Sequence, residues 1–125
     1  MLLKLLRNGL GSVIVVIDQL TRPAKMQRSA QQQALVDEDC RGMVLYQLFA
    51  CPFCIKTRRA LHRLNLTIET RSVTDGSPHR VELEQGGGKI QVPCLRMSSD
   101  DGVDVWMYES SDIIAFLESR FGKPA

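Results

Sequence analysis

Apolar residues follow two different rhythms along this chain. In the first twenty residues the rhythm is helical: Leu3, Leu6, Leu10, Val13, Ile14, Ile17 and Leu20 recur at three- and four-residue steps, which places them on one stripe of a helix. Lys4, Arg7, Asn8, Asp18 and Gln19 interrupt the apolar run, whereas a membrane span needs about 20 largely apolar positions. No compact small-x-small cleavage site follows it, as a signal peptide requires. Residues 1–21 are therefore expected to form an amphipathic helix, open to two readings. It lies on an anionic membrane, helped by Arg22, Lys25 and Arg28, or it packs on the domain or on a second copy of the chain. In the membrane reading the basic flank places the domain on the cytoplasmic side, against the inner face.

Residues 22–42 read as a linker. Pro23 breaks any helix, Ser29–Gln33 is polar, and 34–40 has room for a turn or two of helix before Gly42. From Met43 the rhythm changes. Met43–Phe49 is a strand dense enough in apolar residues to be buried on both faces. Residues 55–64 predict a helix with Ile55, Leu61 and Leu64 inward and Lys56, Arg58, Arg59 and Arg63 outward. Residues 66–73 alternate as a strand and end in the turn Asp75-Gly76. Strand, helix and strand within thirty residues make a right-handed parallel unit.

Ser77-Pro78 caps a short helix running to Gln85. Gly86-Gly87-Gly88 follows a helix and leads to a strand, the reverse of a phosphate loop, and reads as a flexible connector. Residues 90–97 form a strand in which Pro93 marks an edge, a bulge or a cis bond. After a turn at 98–102 come a strand over 103–108 and a helix over 110–121. That helix has Ser110 or Ser111 as cap, Asp112 in its first turn, and Ile113, Ile114, Phe116, Leu117 and Phe121 facing inward. The order from Met43 is β-α-β-α-β-β-α, an α/β domain over 43–125.

Composition narrows this little. A length of 125 residues with 44% hydrophobic and 24% charged residues suits one ordinary domain. Four cysteines are too few for a disulfide scaffold, so a reducing compartment is expected. Residues 1–29 carry five basic side chains against Asp18 alone, while 43–125 are balanced. The positive excess belongs to the leader, and no nucleic-acid partner is expected.

Chemistry concentrates at Cys51-Pro52-Phe53-Cys54, between the first strand and the helix after it. Pro52 at the first helical position loses no hydrogen bond. Cys51 then meets free amides and the positive end of the helix dipole, which favour a thiolate. Cys54, one turn in, is close enough to form a disulfide but more buried, so Cys51 is expected to attack and Cys54 to resolve. Zinc would need two more ligands, and Cys40, Cys94, His62 and His79 form no second compact pair. Cys40 reads as an unremarked linker thiol, and Cys94 as a small core residue or a third redox thiol, the former preferred.

The element order, with Cys-x-x-Cys after the first strand and a proline early in the third, resembles the thioredoxin fold: a central four-stranded mixed sheet flanked by helices, here with an N-terminal helical extension. The details resemble glutaredoxins most. Cys-Pro-Phe-Cys is similar to their active site, Lys56 matches a lysine often found two residues past it, and Val92-Pro93 matches the family's Val-Pro, whose proline is cis. Gln91 stands where a threonine is usual. Tyr108-Glu109-Ser110 departs from the glutaredoxin pattern and is similar to the Glu-Ser pair of the amino-terminal half of glutathione transferases. Gln47, Leu48 and Phe49 stand where the family has a basic residue.

The resemblance implies a glutathione-dependent thiol–disulfide oxidoreductase acting on glutathionylated or disulfide-containing proteins. Cys51 and Cys54 are its catalytic pair, and Lys56, Val92, Pro93, Glu109 and Ser110 hold glutathione, with no metal or flavin. Since no helical second domain follows Phe121, conjugation of electrophiles is not expected. The rival readings are a glutaredoxin carrying an iron–sulfur cluster between two chains, and a membrane-tethered adaptor with vestigial cysteines.

Overall fold

The computed structural model describes residues 2–99 and 101–122, of which residues 2–8 and Leu10 are described in their backbone only. Asp100 of the expected turn, the terminal residues 123–125, and the side chains of Leu3, Leu6 and Leu10 thus lie outside what is described.

Strand β1 (Met43–Gln47) runs through the middle of a four-stranded sheet of order β2-β1-β3-β4. It pairs parallel with β2 (Glu69–Ser72), from Val44↔Glu69 to Gln47↔Ser72, through the crossover helix α3 (Pro52–Arg63). It pairs antiparallel with β3 (Cys94–Ser98), which pairs antiparallel with β4 (Asp104–Tyr108). Side chains alternate across a strand, so the two faces of β1 serve two cores. Met43 and Leu45 point to one formed with Leu61, Leu64, Leu95, Ile113 and Leu117. Tyr46 points to the other, with Val73, Leu83 and Cys94, against which Val44, Leu48, Trp106 and Tyr108 pack. The double burial expected of this strand is present.

Two strands are shorter than their patterns suggested. Leu66 and Ile68 are buried, but pairing begins only at Glu69, on an edge strand of four residues. The third strand starts after Pro93, where the Val92-Pro93 bond is cis. Helix α3 buries Ile55, Leu61 and Leu64 as its spacing requires. Its partner is α5 (Ser110–Phe121), which buries Ile113, Leu117 and Phe121 in the same core.

Helix α4 (Pro78–Gly87) begins as read: the Ser77 hydroxyl accepts from the His79 amide at 3.1 Å, and Pro78 opens the helix. Its end corrects the flexible-connector reading of residues 86–88. Gly86 and Gly87 are helical and lie directly on aromatic rings. A Cβ at Gly86 would sit 2.1 Å from the Trp106 ring, and one at Gly87 2.0 Å from the Tyr108 hydroxyl. The glycines are there so that the helix can approach the sheet. Gly86→Val is therefore expected to push α4 off Trp106 and cost roughly 1–3 kcal/mol, as overpacking does. Chemical denaturation with tryptophan fluorescence reads both effects.

The stretch 22–42 also departs from a linker. Helix α2 (Ala30–Cys40) is capped by Ser29, whose hydroxyl accepts from the Gln32 amide. The segment is stitched to the domain by Met26 N–H to the Arg63 carbonyl (3.0 Å), Arg28 to the Phe121 carbonyl (2.9 Å) and Gln33 to the Asn65 carbonyl (3.0 Å). Cys40 is not a linker thiol. It is buried in the core of α3 and α5, and that burial, followed by Asp37 and Asp39, pushes its thiol up to about 11.

Helix α1 (Leu2–Thr21) forms as its periodicity predicts but docks by a different face. Gly11, Val15 and Asp18, one seam at four- and three-residue steps, are buried, while Val13, Ile17 and Leu20 of the apolar stripe are exposed, as is Val16, and Ile14 is half-buried. Polar groups decide the docking. Asp18 pairs with Arg22 (2.9 Å) and with Arg59 of α3 (3.2 Å), and Arg59 also donates to the Thr21 carbonyl at 2.7 Å. No described helix is long and apolar enough to cross a membrane.

Candidate active site

The sheet register assembles the site. Tyr46, Cys94 and Tyr108 lie side by side across β1, β3 and β4. The chain leaves β1 after Tyr46, enters β3 before Cys94 and leaves β4 after Tyr108. The segments 48–54, 91–93 and 109–110 therefore meet at one end of the sheet. Cys51, Cys54, Val92, Pro93, Glu109 and Ser110 are brought together in this way. Lys56 is not drawn in: it is exposed on α3 and bonds to no described residue.

Cys51 is the N-cap of α3, in extended backbone (φ −74°, ψ 124°), with Pro52 opening the helix. Its thiol is pulled down from about 9 to about 6. The main cause is the Cys54 thiol, which donates to the Cys51 sulfur. The amides of Cys54 and Phe53 and the nearby Arg58 cation add to it, against a contrary push from burial. Cys54 shifts strongly the other way, held protonated by that same hydrogen bond and by its complete burial. The Leu48 amide approaches the Cys54 sulfur at 3.5 Å. The structure thus holds a partly exposed Cys51, whose thiolate form is favoured, beside a buried Cys54 thiol, both unbridged. The asymmetry of burial expected from the spacing is present, with Cys51 partly exposed and Cys54 fully buried.

Arg58 is the residue that sequence reading missed, having been assigned to the outer face of α3. Its guanidinium turns back over the loop before the cysteines, donating to Gln47 Oε1, to the Leu48 carbonyl (3.3 Å) and to the Phe49 carbonyl (2.5 Å). It also lies 5.4 Å from the centre of the Phe49 ring. The available signal was position: Arg58 is one helical turn beyond Cys54, hence on the same face.

On the far side of the site, Pro93 is buried and Val92 lies just outside the ladder, with no backbone partner for its peptide groups among the described residues. Gln91 donates to Glu109 Oε1 at 3.0 Å, which ties this segment to the start of α5. The cap of α5 is Glu109, not Ser110 or Ser111, and it provides no side-chain cap. The first helical amides, starting at the buried Ser110, are thereby left without a capping side chain, which favours an anion there. Glu109 adopts a left-handed φ of 72°. For a residue other than glycine that costs roughly 1–3 kcal/mol, and such strain gathers at ligand clamps.

Cys94 faces the second core. Burial, the largest influence, pushes its thiol up to about 11, partly offset by the Tyr108 hydroxyl. It fills space, as preferred from the sequence. Among the described residues no group of three His, Cys, Asp or Glu could hold a metal ion.

Similarities to known proteins agree with this arrangement. Glutaredoxin 2 of Salmonella typhimurium, solved in complex with glutathione, is 29% identical over 66% of this chain and 35% of its own, with a TM-score of 0.53. An epsilon-class glutathione S-transferase from the housefly Musca domestica is 26% identical over 65% and 36%, with a TM-score of 0.53. The maleylacetoacetate isomerase of Anaeromyxobacter dehalogenans, with bound dicarboxyethyl glutathione and citrate, is 25% identical over 66% and 38%, with a TM-score of 0.51. The present chain spans little more than a third of each of these proteins. A search of the curated proteins finds no match. Residues 45–125 match the glutathione S-transferase, N-terminal domain. With its mixed sheet in the thioredoxin-like arrangement, and matched over well over half its length, the chain belongs to that family.

Proposed function

We propose that this protein is a glutathione-dependent thiol–disulfide oxidoreductase. The observation that carries the reading is the pairing of a low-lying Cys51 thiolate with a buried, protonated Cys54 at the start of α3. The Cys51 sulfur attacks the glutathionyl sulfur of a mixed disulfide, and the target's sulfur leaves as a thiolate that takes up a proton. The glutathionyl group is then held on Cys51. A second glutathione attacks it to give glutathione disulfide, or Cys54 loses its proton and closes a disulfide with Cys51, expelling glutathione as a thiolate that takes up the proton. In that second route two reduced glutathiones then open the disulfide and leave as glutathione disulfide. Each route conserves electrons, and reduced glutathione is the donor in both.

The glutathione similarity of the relatives and the geometry support a pose. The γ-glutamyl carboxylate meets the Ser110 hydroxyl and the uncapped amides of α5, the ammonium meets Glu109, and the peptide lies along the Val92 backbone beside Pro93. Lys56 is then the exposed cation available for the glycine carboxylate.

The test is turnover of a glutathionylated peptide with reduced glutathione. Wild type is expected to be active, Cys51→Ser inactive, and Cys54→Ser active by the one-thiol route. An inactive wild type overturns the reading. In calorimetry, Glu109→Gln is expected to weaken glutathione binding about ten- to a hundredfold, the worth of one charge-assisted hydrogen bond. Unchanged affinity removes Glu109 from the pose.

A further inference from the structure

The exposed face of α1 has no partner among the described residues, and its chemistry is specific. Val13, Val16 and Ile17 are each 54% exposed and Leu20 is 81% exposed. At 100° per residue these four fall within one arc of the helix. They are not the docking face, which is Gly11, Val15 and Asp18. Gly11 sits so close to the loop before α3 that a Cβ there would meet the Ala50 carbonyl oxygen.

Charge narrows the choice of occupant. Asp18 is the sole carboxylate in residues 1–36. The structure hides it, with its side chain 5% exposed between Arg22 and Arg59. The leader therefore presents apolar side chains and cations, with no carboxylate at its surface among the described residues. Of the described cations Arg22 is paired with Asp18 and Arg28 bonds the Phe121 carbonyl, which leaves Lys25 exposed, and a second copy of this face would offer it no carboxylate. An anionic lipid surface supplies both partners, acyl chains for the apolar arc and headgroups for Lys25.

Position gives the docking a consequence. Contacts advance in step along the two helices, Gly11 at Ala50, Asp18 and Thr21 at Arg59, then Met26 at Arg63. Helix α1 thus runs alongside α3, and its residues 2–10 project about 13 Å past Ala50 at 1.5 Å each. That is the end of α3 where Cys51 lies, between the exposed rings of Phe49 and Phe53.

We infer that the outward face of α1 docks flat on an anionic lipid surface and so holds the Cys51 end of the domain beside the membrane. The inference does not depend on the chemistry at Cys51, which is assayed separately without lipid. The test is co-sedimentation of the full chain with vesicles of equal parts phosphatidylcholine and phosphatidylglycerol, against vesicles of phosphatidylcholine alone. Binding to the anionic vesicles is expected to be at least about tenfold stronger and to fall with salt. Val13→Ser with Ile17→Ser, at exposed positions that belong to neither core, is expected to lose at least about tenfold in partition. Its circular dichroism and Cys51 alkylation rate should stay unchanged. Lys25→Glu should weaken binding with the stripe intact. No binding to anionic vesicles, equal binding to both kinds, or full binding by the double variant overturns the inference. A dimer in sedimentation equilibrium that the double variant dissociates assigns the face to a second copy and overturns it equally.

Discussion

Alkylation of Cys51 is expected to reach half its maximal rate near pH 6 and to stay level above it, because the reacting species is the thiolate. An ordinary cysteine titrates near 8.5. Below pH 6 the rate should fall about tenfold per pH unit as the proton returns. The direction follows from an acid whose charged form the fold favours. The source of the effect is separable. Since the Cys54 thiol is the largest contributor, Cys54→Ala should move the midpoint up by about 1–2 pH units, the worth of one hydrogen bond to a charged acceptor. Arg58→Gln should move it up by less, because Arg58 acts at a distance. Iodoacetamide kinetics across pH, followed by mass spectrometry of the Cys51 peptide, measure all three. A wild-type midpoint above 8 would remove the basis of the proposed chemistry.

Leu45→Ala is expected to cost about 2–5 kcal/mol, the largest loss of stability for any single truncation considered for this domain. Leu45 is fully buried in the central strand, paired with Thr70 on one side and Leu95 on the other. It packs in the core beneath α3 and α5. The neighbours belong to paired strands and cannot close over the cavity, which places the loss toward the upper part of that range. A domain of this size typically has only 5–15 kcal/mol in hand. Thermal unfolding should fall by about ten degrees or more. Because β1 delivers the loop that ends at Cys51, activity near the new midpoint should fall with folded fraction, while the pH midpoint of alkylation stays near 6. A shift in that midpoint would mean that the site had distorted.

The local elements of this protein were legible in its sequence because each is fixed by neighbours in the chain. Cys51 becomes an N-cap because Pro52 follows it, and Ser77-Pro78 starts α4 for the same reason. The apolar density of β1 predicted burial on both faces, and the Cys-x-x-Cys spacing predicted that Cys54 would be more buried than Cys51. What the sequence could not disclose was which face meets which. The stripe of α1 pointed to burial, yet a single carboxylate, Asp18, with two arginines to neutralise it, turned the helix so that Val13, Ile17 and Leu20 of the stripe face outward. Gly86 and Gly87 read as slack until Trp106 and Tyr108, twenty residues on, came against them. Arg58 read as a solvated charge until three oxygens of a preceding loop surrounded it. Periodicity reports that a face is apolar. Only tertiary contact, through the desolvation of a few polar groups, decides whether that face is covered.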